Sequence, residues 1–409
     1  MSGTTGLFPD GAFLSTNDGS GCWTWAGVRL SADGSIDATQ RYADLSWDER
    51  RKRLTVQDTA WLAAQWDTPV PGCRFEVRFA TGAKAAKVHA ALFVRVLAAT
   101  PAEARHVAAE RLRRAVHPDG ALPPHVGAHP IESTAELGTW LGYPSRVGSF
   151  IEVRKHLSAH RIARGGTRLA FAVCHGFFDC GVAWDAWWRS FAALRFPAVL
   201  SIGFDPYDAD NSVFRSLLLR RTTELEELAT QGVASPLNPY RAPADPAAQA
   251  ALPGYRRALA RYTGHCFTIR VALASAQPLP PTLVESLVRT VSSATGAALA
   301  VQVATTELNQ ALGEFRALGA PWLPATYQQN LPHALDALDQ LLHSLADAQE
   351  AASVLSLPVH WPGGMTPVFD RGTSPFDPEK GNWSRDGGDL HDRVRGRQRT
   401  DRSEGAARA

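Results

Sequence analysis

Residues 73–116, CRFEVRFATGAKAAKVHAALFVRVLAATPAEARHVAAERLRRAV, contain the pattern that decides the fold. Segment 73–80 alternates apolar and polar residues, and segment 87–99 is a longer run of β-forming residues, so both are predicted to be strands. The Thr-Pro-Ala-Glu sequence at 100–103 predicts a helix start, because threonine can cap the helix and proline fits its first turn. The helix is expected to run to about Val116.

The same order of elements recurs far along the chain. HCFTIRVALAS (265–275) is a predicted strand that contains an arginine, as the strand at 87–99 does. Thr282 and Glu285 have the spacing of a capping box, so a second helix is expected from there to about residue 293. The sequence therefore predicts two related β-α modules, and ferredoxin-like units are an arrangement that would fit them.

Further predicted elements place the protein in the α+β class. Ser46 and Glu49 form another capping box, which opens a helix. The other predicted strands are 151–157, 169–175, 198–204 and 298–304, and the other predicted helices are 182–194, 211–230, 306–318 and 332–354. The helix at 332–354 is long and amphipathic, and its apolar stripe consists of Leu335, Leu338, Leu342 and Leu345.

Composition divides the chain into five segments. Four prolines between residues 236 and 246 mark a linker, and aliphatic residues become rare after residue 366. Trp23 and Trp25 are expected on a short strand that packs on the main body, with a stacking platform for a base or sugar as the alternative. The expected segments are an N-terminal arm at 1–40, a first α+β domain at 41–235, a linker and helix at 236–264, a second α+β domain at 265–365, and a disordered, locally basic tail at 366–409.

Composition also excludes several functional classes. The 409 residues carry a formal net charge of only +2, so the molecule as a whole is not expected to bind nucleic acid or anionic membrane strongly. No segment approaches about 18 consecutive apolar residues, and the N-terminus lacks signal-peptide features, so no membrane span and a cytoplasmic location are expected. The five cysteines show no CxxC pair, which fits a reduced compartment and indicates no zinc or redox site.

Nucleotide hydrolysis by a P-loop is excluded as well. That loop needs two glycines followed by lysine and serine or threonine, because backbone amides and the lysine hold the phosphates. The nearest glycine spacing is Gly176 to Gly181, and Val182 and Ala183 follow it instead. HExxH, GxSxG, GxGxxG and EF-hand patterns are also missing, so no catalytic, cofactor-binding or metal-ligating residue is assigned and no cofactor is expected.

One short string resembles an acyltransferase motif. His175 and Asp179 stand in the sequence HGFFDCG, between a predicted strand and a predicted helix. Acyltransferases of the condensation and chloramphenicol-acetyltransferase type place HxxxDG there; their histidine deprotonates a hydroxyl or amine, and their aspartate is structural. In this sequence Cys180 separates the aspartate from the glycine, and the second motif of that family, DFGWG, is missing. The alternative is that both residues are polar groups that close a loop.

Three stretches together resemble a known family. FEVRFATGAKAAKVHAALFVRVLAATPAEA (75–104) is similar to the opening strand pair and helix in the N-terminal region of conjugation-type and HerA/FtsK-like DNA-translocating ATPases. RFPAVLSIGFDPY (195–207) is similar to a later strand of that region, and SVLSLPVHWPGGMTPVF (353–369) to the segment that leads into the motor domain. The resemblance covers most of residues 40–370. Where such proteins continue into Walker A and B sequences, this sequence continues into its arginine- and aspartate-rich tail.

Three functional hypotheses follow. The resemblance implies a non-catalytic accessory or assembly subunit that works with a separately encoded P-loop motor ATPase, in DNA transfer or in a defence system, and that reaches DNA through the motor. The second hypothesis is an HxxxD-type acyltransferase that uses His175. The third is a structural scaffold protein unrelated to DNA. Under the first hypothesis the helix at 332–354 is the candidate docking element, with core packing of its leucines as the alternative. All three hypotheses are compatible with self-association of the protein.

Overall fold

The structure is a computed structural model of the chain. It describes residues 13–377 apart from 20, 33–41, 43, 68, 71, 83–86, 118–119, 164–169, 178–183, 233–240, 293–297, 329–330, 332–333, 361–367 and 373–374. No helix in these described ranges is long and apolar enough to cross a membrane. The described part of the chain confirms the α+β class, with both helices and an antiparallel sheet.

The elements follow one another in this order. The first half contains β1 (Phe13–Asn17), β2 (Cys22–Ala32), α1 (Trp47–Gln65), β3 (Arg74–Thr81), β4 (Val88–Ala98), α2 (Pro101–Val116), β5 (Val126–Pro130) and α3 (Thr134–Gly142). The second half contains β6 (Ser149–Lys155), β7 (Leu157–Arg161), β8 (Ala170–Cys174), α4 (Trp184–Ala192), β9 (Ala198–Asp208), α5 (Val213–Ala229), α6 (Pro246–Arg261), β10 (His265–Ser275), α7 (Pro281–Thr290), β11 (Ala298–Gln302), α8 (Leu308–Arg316), α9 (Pro324–Tyr327), α10 (Ala337–Ser344), β12 (Leu345–Ala346) and α11 (Ala348–Ser353).

Ten of these strands form one antiparallel sheet. Its path is β1-β2-β4-β3-β9-β10-β6-β11; β5 also pairs with β2, and β12 with β10. Strands β3 and β9 meet at the centre, with Val77 opposite Ile202. Each half therefore contributes a four-strand unit, β5-β2-β4-β3 on one side and β11-β6-β10-β9 on the other. The ferredoxin-like assignment of these units stays a prediction.

The sheet has two differently covered faces. Helices α1, α2, α4, α7 and α11 pack on one face, which we call the helix face, over a large apolar cluster. Helices α3 and α8 and the residues from Ala317 to Tyr327 cover the opposite face, which we call the arginine face because of the side chains described below. Both faces are buried, so polar residues on the central strands lie inside the protein.

The second half carries an additional layer of structure. The β7–β8 hairpin lies between β6 and α4, and α5 and α6 lie between β9 and β10, whereas residues 82–87 alone connect β3 to β4. These elements and α10 share a separate apolar cluster. We call β7, β8, α5, α6 and α10 the insert layer.

Most predicted elements are confirmed, but two details are wrong. The strands at 73–80, 87–99 and 265–275 and the capped helices after Ser46 and Thr100 are present. Helix α7 begins after Pro280 without a side-chain cap, so the capping role of Thr282 is wrong. The predicted helix at 332–354 is also wrong: the described part of this stretch contains two short helices, α10 and α11, separated by β12.

The predicted segment boundaries can be compared with the sheet. The arm at 1–40 contains β1 and β2, and β2 pairs with three other strands. One sheet runs through both predicted domains, since β10 pairs with β9 and with β6. The division into domains stays a prediction. The predicted tail begins with packed residues, because Phe369 and Phe376 are buried, and residues 378–409 lie outside the described residues.

Candidate functional site

Five arginines and three carboxylates lie on the arginine face. They alternate with apolar residues along the central strands, so the sheet register brings them into neighbouring rows; Arg74, for example, lies opposite Arg95. The group, which we call the arginine cluster, consists of Arg74, Glu76 and Arg78 on β3, Arg95 on β4, Glu152 and Arg154 on β6, Asp205 on β9 and Arg270 on β10. Because both halves supply members, the cluster exists only in the assembled sheet.

The carboxylates of the arginine cluster are held by close contacts. Glu76 accepts hydrogen bonds from Arg78 at 2.7 Å and from Ser201 at 2.6 Å. Glu152 accepts from Arg270 at 3.0 Å and from Arg154 at 2.8 Å. Burial alone would raise the pKa of Glu152, but Arg154 and Arg270 lower it to about 2.

Three guanidinium groups of the cluster also donate to carbonyls at and just after the end of α8. Arg78 donates to the Phe315 carbonyl, Arg95 to the Ala317 carbonyl at 3.1 Å, and Arg270 to the Gly319 carbonyl at 2.7 Å. The last carbonyls of a helix lack intrahelical partners and carry partial negative charge, so cations stabilise that end. The arginine cluster thus fixes α8 on the sheet, which is a structural role.

A second buried charged group joins β6 to α11 and to Tyr262, the residue after α6. Lys155 donates to Glu350 at 2.9 Å and to the Tyr262 hydroxyl at 2.8 Å. Burial alone would lower the pKa of Lys155, but Glu350 and Tyr262 raise it above its ordinary value. Both Lys155 and Glu350 are inaccessible to solvent, so this pair is also structural.

His175 lies at the end of β8, on the insert layer. Its Nε2 atom is 3.0 Å from the Ser158 hydroxyl, and its ring stacks on His156 with 5.4 Å between centroids. Burial lowers the pKa of His175, and the positive charges of His156, Arg257 and His160 lower it further. Asp179, the other residue of the acyltransferase string, lies outside the described residues.

The histidines around Ser158 form a group that sequence reasoning missed. Ser158 is also 3.3 Å from Nε2 of His160; Ser158 and His160 alternate along β7, and His156 directly precedes that strand. The signal was the pattern HLSAH at 156–160, which places three polar side chains on one strand face. We call His156, Ser158, His160, His175 and Arg257 the histidine patch.

The leucine stripe predicted as a docking surface is not exposed. Leu335, Leu338, Leu342 and Leu345 are all buried, and they belong to apolar clusters of the insert layer and its surroundings. Core packing, the alternative interpretation of this stripe, is therefore correct, and its role as a docking surface is excluded.

An exposed apolar surface occurs on α5 instead. Val213 is 75% exposed, Leu219 is 53% exposed and Leu217 is 36% exposed. Arg220 is exposed in the same part of the helix, and Phe214 and Leu218 hold its opposite side in the core. We call Val213, Leu217, Leu219 and Arg220 the α5 face. The sequence predicted the helix but not which residues it exposes.

A small cavity lies where the C-terminal described residues return to the sheet. Phe376 stacks on Trp140 with 3.8 Å between centroids, and Asp370 donates a backbone hydrogen bond to Val88 at 2.9 Å. The cavity between this segment and the sheet has a volume of only about 10 Å³. That is room for about one water molecule and too little for a ligand.

Two further observations bear on function. Within the described ranges, no three His, Cys, Asp or Glu side chains are placed to hold a metal ion. No protein-family model and no curated protein matches the sequence.

Proposed function

We propose that the protein is a non-catalytic accessory subunit that docks through the α5 face on a P-loop motor ATPase carried by another chain. The pair would work in the cytoplasm, in DNA transfer or in a defence system. The exposed apolar surface of α5 is the observation that carries the proposal.

The buried charges support a non-catalytic role. The arginine cluster and the Lys155–Glu350 pair make close, buried ionic contacts, and their partners are side chains and main-chain carbonyls of the same chain. A catalytic group must be free to reach a substrate, whereas these groups are enclosed by α8 and α11. The sequence also lacks the lysine that a P-loop requires.

The α5 face has the composition of a protein–protein contact. Arginine is enriched in interfaces, and the buried core of an interface is more apolar than its rim. Val213, Leu217 and Arg220 have the i, i+4 and i+3 spacing of neighbours on one side of α5, and Leu219 is exposed elsewhere on the solvent-facing half of the helix. This face belongs to the insert layer, which the first half does not have. It therefore differs from the part of the fold that both halves repeat.

The class of partner comes from the family resemblance. Two of the resembling stretches, 75–104 and 195–207, form β3, β4 and β9, which are neighbours at the centre of the sheet. Stretches that resemble one family are thus parts of one structural unit. The low net charge of the chain favours contact with DNA through the motor rather than directly.

Co-elution with the motor tests the proposal. The chain is co-expressed with P-loop ATPases encoded beside it and analysed by size-exclusion chromatography. Glutamates at Leu217 and Leu219 should weaken the complex at least about tenfold, because charges in an interface core lose apolar contact and water is retained. Val56→Glu, at a 67% exposed position of α1, is the matched control and should leave the complex intact.

The other two hypotheses predict different results. If no ATPase co-elutes with the wild-type chain at low salt, the proposal fails and the scaffold hypothesis replaces it. If an ATPase co-elutes equally with the double variant, the α5 face is not the docking surface. The acyltransferase hypothesis requires that His175→Ala abolish function in the host while the fold remains stable.

A further inference from the structure

The histidine patch has a charge pattern that suits an anion. The groups that act electrostatically on His175 are His156, Arg257 and His160, and each of them is cationic or becomes cationic on protonation. The Glu350 carboxylate lies beside Gly176, the residue after His175, and it is held by Lys155 at 2.9 Å. The patch is therefore electropositive and becomes more so as the imidazoles take up protons.

The geometry of the patch brings several donors together. The Ser158 hydroxyl lies between two imidazole Nε2 atoms, at 3.0 Å from His175 and 3.3 Å from His160. Helix α6 packs over the β7–β8 hairpin and carries Arg257, which is exposed. The residue before it, Arg256, donates instead to Glu226 at 2.8 Å. A hydroxyl, imidazole N–H groups and a guanidinium thus border one half-exposed spot.

A metal ion is a poorer occupant than an anion. Three histidines in proximity suggest zinc, but no three ligands among the described residues converge on one point. The positive charge of Arg257 would also repel a cation. Tetrahedral oxyanions are bound in proteins by arginine together with hydroxyl and imidazole N–H donors.

We propose that the histidine patch binds a phosphate group, through Arg257, Ser158 and the protonated imidazoles of His160 and His175. This inference goes beyond the proposed docking function and does not depend on it. The phosphate could be free or part of a nucleic-acid backbone, since both offer the same oxygens. Binding should tighten as the pH falls below about 6, because burial holds the pKa values of His160 and His175 below the ordinary histidine value and the imidazoles therefore gain charge only there.

Histidine-selective NMR on the full chain tests this proposal. The Cε1–H signal of His175, assigned with His175→Gln, is followed during titration with inorganic phosphate and, separately, with a single-stranded oligonucleotide. Ionic strength is held constant with sodium chloride, so that screening does not imitate binding. Arg257→Gln should weaken binding about tenfold, because it removes a charge-assisted hydrogen bond. Arg256→Gln, one residue away, is the matched control and should bind like the wild type.

Each outcome of these titrations either supports or overturns the phosphate-binding proposal. A response to inorganic phosphate that Arg257→Gln weakens supports a site for free phosphate. A response to the oligonucleotide alone, again weakened by Arg257→Gln, supports a site for the nucleic-acid backbone. If neither probe shifts the His175 signal, or if Arg257→Gln binds as tightly as Arg256→Gln, the proposal is overturned.

Discussion

Asp58 on the helix face and Glu152 on the arginine face are both buried, but burial shifts the pKa of one upward while ion pairs shift the pKa of the other downward. On the helix face, Asp58 of α1 accepts a backbone hydrogen bond from Leu357 at 3.4 Å, and burial raises its pKa to about 8. On the arginine face, Glu152 is more deeply buried, yet Arg154 and Arg270 lower its pKa to about 2. Burial alone therefore does not decide the charge of these two carboxylates. Glu152 has two arginines beside it that lower its pKa, and Asp58 has only a backbone N–H.

This difference shows where charged contacts stabilise the fold. The helix face is held mainly by apolar contact; its Asp58 carboxyl is neutral over much of the usual pH range, and its Glu350 is paired with Lys155. The arginine face is held by ion pairs that join strands of both halves to α8. Substitutions on the two faces should therefore change the free energy of unfolding by different amounts, and in one case the change should have the opposite sign.

The largest effect is expected from Glu152→Gln. It leaves Arg154 and Arg270 buried without their carboxylate, so it should lower the free energy of unfolding by about 3–5 kcal/mol. Urea denaturation at pH 7 measures this change. The control is Glu285→Gln, which breaks an exposed pair with Arg289 at 3.7 Å and should cost less than about 0.5 kcal/mol. Equal costs for the two variants would show that the arginine cluster is not a structural element.

A gain in stability is expected from Asp58→Asn. A carboxylate whose folded pKa is raised destabilises the fold increasingly as pH rises from its unfolded pKa near 4 to its folded pKa of about 8. The variant should therefore be more stable than the wild type by about 2–4 kcal/mol at pH 8, and the difference should shrink toward pH 4. Unfolding curves recorded across this range test the sign, and parallel curves for the two proteins would contradict it.

Gly203→Ala should disturb the arginine face at its centre. A Cβ atom there would lie 2.1 Å from a guanidinium nitrogen of Arg74, which is fully buried and paired with Asp205 at 2.9 Å. The expected loss is about 1–3 kcal/mol by thermal or urea unfolding. Gly138→Ala on α3 is the comparison, since nothing lies within 4 Å of its added Cβ. It should stabilise the protein by about 0.5–1 kcal/mol, and a loss there would count against this packing.

The smallest effects concern two helix starts on the helix face. The Ser46 hydroxyl caps α1 and pairs with Glu49, so Ser46→Ala should cost about 1 kcal/mol. Thr282 has the same sequence signature but makes no cap, because α7 begins after Pro280. Thr282→Ala should therefore change stability by less than about 0.5 kcal/mol. A larger loss for Thr282→Ala than for Ser46→Ala would reverse this assignment.

Local sequence patterns predicted the strands and helices. Which strands pair, and which helices cover them, became known only from the structure. The alternation in 73–80 identified β3, but nothing local indicates that β9 pairs with it, more than a hundred residues later in the chain. The polar positions of β3 are buried because α8, from the far end of the chain, covers them. Leu345 continued the helical period of 332–354, yet it pairs with Thr268 of β10 as a strand. Tertiary pairing overrode local propensity there.

Candidate functional sites were harder to predict from the sequence than secondary-structure elements. His175 was found from a motif, but its neighbours Ser158 and His160 come from a strand whose HLSAH pattern carries no established signature. The α5 face could not be predicted, because a helix with apolar residues on several sides does not reveal which side is covered.

Site-specific photocrosslinking in the native host tests the central claim most directly. A benzophenone amino acid is placed at Leu219 on the α5 face and, as a control, at Leu299, which is 43% exposed on β11. Crosslinked proteins are then identified by mass spectrometry and inspected for a Walker A sequence. Capture of a P-loop ATPase from position 219 but not from position 299 is the predicted result. Absence of any P-loop ATPase at position 219, or equal capture at both positions, would contradict the proposed docking function.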